Sequence, residues 1–122
     1  MLKKQNRLLT NFEFRITHRY GKKTSGKYFY LYYLDRSKRN LSEAKKPTRI
    51  GFLTSKKLAK NAVTRNRIKR VFREVVRLNL DKIKPGFWIA LHPKKQSLTA
   101  SYEEINTDFI KTLQKVSFAK EL

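Results

Sequence analysis

Between Ser55 and Arg73 the chain concentrates the side chains best suited to grip a polyanion. Lys56 and Lys57 come first, then Asn61-Ala62-Val63, then Arg65-Asn66-Arg67-Ile68-Lys69-Arg70, with Arg73 beyond. Arginine presents a planar fork matched to phosphate, and lysine a compact point charge. Asparagine set between arginines adds both a donor and an acceptor. A basic helix face is most often simply solvated, so the local pattern has to be weighed with the charge of the whole chain. The 122 residues carry 30 Lys plus Arg against 9 Asp plus Glu, a formal +21. Such an excess repels itself in a compact fold unless a polyanion neutralises it. Nucleic acid is the natural partner, since each neutralised phosphate releases counterions. An anionic membrane surface is the competing one. No long apolar run or signal-peptide core follows Met1, so a spanning or secreted protein is not expected.

Groups able to catalyse a reaction are sparse. His18 and His92 are the only neutral-pH bases. The carboxylates form no cluster that reads as a two-metal nuclease site. Glu103-Glu104 suits the start of a helix, where capping and the dipole explain it. There is no glycine-rich phosphate loop and no metal-ligand spacing. Cysteine is absent, which excludes disulfides and Cys-ligated zinc and fits a reducing cytoplasm. The expectation is a cytoplasmic RNA-binding protein with no active site, metal or cofactor of its own and no small-molecule substrate. Aromatics supply the second half of that expectation. Tyr28, Tyr30 and Tyr32 alternate along one segment and so share a strand face. They form either a platform on which single-stranded bases stack beside a positive groove or the packing surface under a helix. Phe14 is open to the same two readings.

The elements that must position these groups follow from pattern. Met1 to Leu9 reads as a basic arm. Thr10 and Glu13 have capping-box spacing and open a helix to about Tyr20, with Gly21 at its end. Phe12, Ile16 and Tyr20 lie on one stripe of it, and Phe14 and His18 on another. Tyr28 to Leu34 predicts a strand with Phe29, Leu31 and Tyr33 on the face opposite the other tyrosines. Arg36 to Pro47 predicts a charged loop, and Arg49 to Ser55 a second strand. Asn61 to Asn79 is the clearest helix, with Ile68, Val71, Phe72, Val75 and Leu78 inward and Asn66, Lys69, Arg70, Arg73 and Arg77 roughly opposite. Pro85-Gly86 marks a turn, and Phe87 to Leu91 a strand covered on both faces. Ser101 with Glu104 starts a last helix through about Val116. One domain over residues 1–122 results, an α+β sandwich in the order helix, strands, helix, strand, helix.

With these motifs in place the sequence resembles the protein subunit of bacterial ribonuclease P, which removes the 5′ leader from precursor tRNA. Arg65-Asn66-Arg67 continued by Ile68-Lys69-Arg70 carries the resemblance. So do Ser55-Lys56-Lys57, Asn61-Ala62-Val63, Asn6-Arg7-Leu8, Phe14, Gly21, Phe29-x-Leu31-Tyr32, Arg49-Ile50-Gly51 and Leu98-Thr99. It runs from about residue 4 to residue 116. The resemblance implies an α/β sandwich with a left-handed βαβ crossover and catalysis by an RNA subunit using Mg²⁺. It also implies two RNA partners: that subunit and precursor tRNA. By position Arg65, Asn66, Arg67, Lys69 and Arg70 would then contact RNA, and the basic pattern itself adds Lys56, Lys57, Asn61 and Arg73 to the RNA-binding set. Phe14 and Tyr32 would line a cleft for the leader, and the pattern of this sequence sets His18, one turn after Phe14, and Tyr30, on the strand face of Tyr32, beside them. Many members carry an aromatic where this chain has His18, so either His18 or Tyr20 supplies the second ring. Lys60 and the long basic loop from Arg36 to Pro47 are further departures.

Overall fold

The computed structural model describes residues 10–36 and 45–116. The basic arm of residues 1–9 and residues 37–44 of the expected loop lie outside the described residues. The described elements are α1 (Asn11–Tyr20), β1 (Lys22–Ser25), β2 (Phe29–Asp35), β3 (Arg49–Phe52), α2 (Ala62–Leu78), β4 (Phe87–Pro93) and α3 (Tyr102–Leu113), with short 3-10 turns at Leu80–Lys82 and Lys95–Thr99. The sheet runs β1-β2-β4-β3. β1 pairs with β2 and β2 with β4 antiparallel, while β3 and β4 run parallel with α2 between them. This is the expected α+β sandwich, with α1 against one face of the sheet and α2 and α3 against the other.

Both predicted capping boxes are present: Thr10 with Glu13 opens α1, and Ser101 with Glu104 opens α3. Asn61 caps α2, its side chain accepting from the Val63 N–H, and Asn79 ends it. The core lies between the sheet and α2/α3. Phe29, Leu31, Ile50, Ile89 and Leu91 meet Ile68, Phe72, Val75, Val76, Ile105 and Phe109 there, with Phe29 5.8–6.0 Å from the rings of Phe72 and Phe109.

Several boundaries and faces differ from expectation. Leu78 is exposed, and Val76 is buried in its place. At 100° per residue Leu78 lies at the margin of the stripe. β3 stops at Phe52, and Leu53 makes one last bond, its N–H to Leu91 O. β4 continues two residues past Leu91, which brings His92 into the sheet opposite Tyr30. α3 ends at Leu113, short of Val116. β1 was not foreseen, because Lys22-Lys23-Thr24-Ser25 has none of the apolar alternation that marks a strand. Gly21 ends α1 in an extended conformation, not the left-handed one usual for a terminal glycine. It is required there by space: a Cβ would sit 2.4 Å from Thr17 O and 2.6 Å from Tyr33 O. Gly86 does adopt the left-handed conformation, φ 88°, as its turn requires.

Candidate nucleic-acid interface

The face of the sheet turned toward α1 is set by register. Tyr30 pairs with His92, Tyr32 with Ala90 and with Lys23 of β1, and Leu34 with Trp88, and paired residues share a face. α1 is fastened over this face by polar groups. The buried Glu13 carboxylate accepts from the Thr10 N–H and hydroxyl at 3.1 Å and pairs with Arg49 of β3. Buried Thr17 donates to Glu13 O at 2.8 Å.

His18 lies one turn along. Its Nδ1 is 2.7 Å from Phe14 O. A carbonyl only accepts, so Nδ1 carries a proton. His18 Nε2 meets His92 Nε2 at 2.6 Å, and when both rings are neutral the proton between them belongs to His92. Burial, then the His18 ring, then Lys23 hold the His92 imidazole down from its ordinary 6.5 to about 4. The pair therefore stays short of a double positive charge at neutral pH.

Around this pair the rings converge. The His18 centroid is 4.5 Å from that of Tyr32, and His92 is 4.8 Å from His18 and 5.5 Å from Tyr32. Tyr30, 41% exposed, lies between two ammonium groups, Lys94 Nζ at 4.4 Å and Lys23 Nζ at 4.6 Å from its centroid. Lys94 Nζ also donates to Gly26 O, which fixes its position. Phe14 is half-buried one turn before His18. Of the two candidates for the second ring, His18 is the one beside Tyr32. Tyr20 is exposed and stacks with Arg19. Tyr28 does not join the platform. It precedes β2, is buried, and its hydroxyl donates to Glu104, so the packing alternative holds for that tyrosine. Sequence reasoning missed His92, Lys23 and Lys94 as neighbours of the tyrosines. Continuing the alternation Trp88, Ala90 through the His-Pro pair would have found His92.

The basic set gathers at the start of α2. Lys56, Lys57, Asn61, Asn66, Arg67 and Arg70 are exposed, and Arg65, Lys69 and Arg73 half-buried. They are not equivalent. Arg65 Nη1 donates to Ala59 O and Lys60 O at 2.7 and 2.9 Å, closing the turn before the helix. Arg67 Nη2 donates to Leu98 O at 2.9 Å, tying α2 to the segment that follows Lys94. Asn66, Lys69, Arg70 and Arg73 make no side-chain hydrogen bond or ion pair to the described residues. The turn before α2 leaves the sheet at its Leu91–His92 end, so the basic set and the aromatic cluster share that end of the sheet.

A family model described as ribonuclease P matches residues 2–117. The chain is 35% identical over 117 residues to the ribonuclease P protein component of Finegoldia magna, with 96% of each chain covered. It is 38% identical over 104 residues to that of Clostridioides difficile, covering 84% of this chain and 83% of the relative. Among solved structures, the RNase P protein of Staphylococcus aureus superimposes with a TM-score of 0.79 at 23% identity, over 96% of this chain and 100% of that one. The RNase P protein from Thermotoga maritima does so with 0.76 at 23% identity, over 91% and 97%. Both show the same fold. With sequence similarity of this extent and a backbone to match, the chain belongs to the ribonuclease P protein family.

Proposed function

We propose that this chain is the protein component of a cytoplasmic ribonuclease P holoenzyme. It binds the RNA subunit through the basic side of α2 and the turn before it, and holds the 5′ leader of precursor tRNA between α1 and the sheet. Hydrolysis is the work of the RNA subunit with its Mg²⁺, and the protein contributes affinity and position. The observation that supports the leader assignment is the cluster of rings and ammonium groups on the sheet face. An exposed tyrosine between two lysines, with a second tyrosine and two imidazoles behind it, offers π faces to bases and cations to the adjoining phosphates. That combination suits single strands, which need no base-specific hydrogen bonds to be held.

The test is reconstitution with the RNA subunit and comparison of wild-type with Tyr30→Ala. Tyr30 is exposed, so the fold should be unaffected. Precursor tRNA carrying a leader should bind more weakly by about 1–3 kcal/mol, the value of one lost stacking partner. Mature tRNA should bind as before. Equal losses for both would remove the cleft from leader binding.

A further inference from the structure

At the Trp88 end of β4, four residues along the strand from His92, the same sheet face carries a second basic and aromatic site. Glu13 ties the start of α1 to Arg49, which pairs with Trp88, while His18 meets His92. The helix therefore runs with Glu13 near the Arg49–Trp88 pair and His18 near His92, four residues farther along β4; at the Trp88 end Leu34 is buried and Trp88 half-buried. There a pocket of about 390 Å³ opens, lined by Arg36, Lys46, Pro47, Arg49, Gly86, Phe87 and Trp88. Its size falls in the range that takes small ligands, about 300–1,000 Å³. The Arg36 guanidinium lies 4.2 Å over the Trp88 ring. Among the described residues no acceptor meets its buried Nε, and the indole is the group that lies against the guanidinium. A guanidinium plane backed by an aromatic ring is a surface on which an unpaired base stacks, with its phosphate near a lysine. None of its described lining residues belongs to the His18–Tyr30–Tyr32–His92 cluster, and Trp88 stands four residues along β4 from His92.

We propose that Arg36 and Trp88 form a second single-nucleotide site, which takes an unpaired nucleotide of the RNA subunit and not of the leader. This rests on the reading of the chain as a ribonuclease P protein component, and the test keeps the two apart. Trp88 is the only tryptophan in the chain, so its fluorescence reports the pocket directly. The full-length protein is titrated with the RNA subunit, retention on filters measuring binding and Trp88 emission measuring occupancy. Saturable change in emission in step with retention is expected. Arg36→Ala should abolish that change and weaken retention roughly fivefold or more, as for one stacked base. Arg36→Lys, which keeps the charge and loses the plane, should behave as Arg36→Ala does, and circular dichroism checks both folds. Adding precursor tRNA to the assembled enzyme should move the emission no further. Absence of retention would defeat the functional reading itself. Retention with unmoved emission, full rescue by lysine, or a change seen only when a leader is present would each overturn the second site.

Discussion

His92 is neutral in the folded protein because its ring is half-buried against another imidazole and near an ammonium group. The fold thus favours the unprotonated form. The stability this contributes is complete above about pH 6.5, the ordinary value, and is lost as pH falls through 6.5 toward about 4. His18, Tyr32 and Lys23 face the ring, and none of them is a carboxylate that could rescue the charge. Urea midpoints measured from pH 7 to pH 4 should fall more steeply for the wild-type than for His92→Gln. Parallel curves would show that the ring does not titrate as described. The arginines of α2 call for a different comparison. Periodicity correctly sets Arg67 and Arg70 off the apolar stripe and predicts that replacing either spares the fold. It could not see Leu98, thirty-one residues away, whose carbonyl Arg67 holds. Arg67→Ala should therefore cost about 0.5–1.5 kcal/mol of stability as well as RNA affinity. Arg70→Ala should cost about 1.5–3 kcal/mol of RNA affinity and leave the urea midpoint in place.

The elements most legible in the sequence are those with a local signal. The two capping boxes, the α2 stripe and the Pro85-Gly86 turn follow from spacing alone. The less legible ones depend on partners distant in sequence. α1 buries Glu13 and Thr17, while Phe12 and Tyr20 remain exposed, the reverse of what hydrophobicity suggests. Glu13 is tolerable inside because Arg49 and Thr10 meet its carboxylate. β1 is a strand only because β2 offers it a ladder, and its sequence alone gives no reason to form one. The hand of the β3–α2–β4 crossover is likewise invisible to periodicity and enters only through the family resemblance. Two replacements test the seating of α1. Thr10→Ala removes the hydroxyl that accepts from the Glu13 N–H and should cost about 0.5–2 kcal/mol. Gly21→Ala forces a methyl group against two backbone carbonyls, neither of which can swing aside as a side chain would. It should cost about 1–3 kcal/mol and, by shifting α1 against β2, weaken leader binding as well. A Gly21→Ala protein with unchanged thermal midpoint would show that the close approach is not needed.

At the scale of the whole molecule, charge dominates. A formal +21 on 122 residues is a self-repulsion that the proposed RNA partner would neutralise. Affinity for the RNA subunit should fall steeply with monovalent salt, by about 0.7–0.9 in log K per log salt for each phosphate neutralised. A flat profile would rule out the electrostatic mechanism. The same charge is distributed where the sheet is most vulnerable. β1 and β3 are its outer strands, each only four residues long, and an outer strand is a template onto which another chain can zip. On β1 that rim carries Lys22 and Lys23, both exposed. Two copies brought edge to edge there would set ammonium against ammonium, so the charge opposes pairing of the free protein along this rim. Replacing the pair, Lys22→Thr with Lys23→Val, would leave a short uncharged strand open along the rim. Light scattering of the RNA-free protein should then rise with concentration, where that of the parent stays constant.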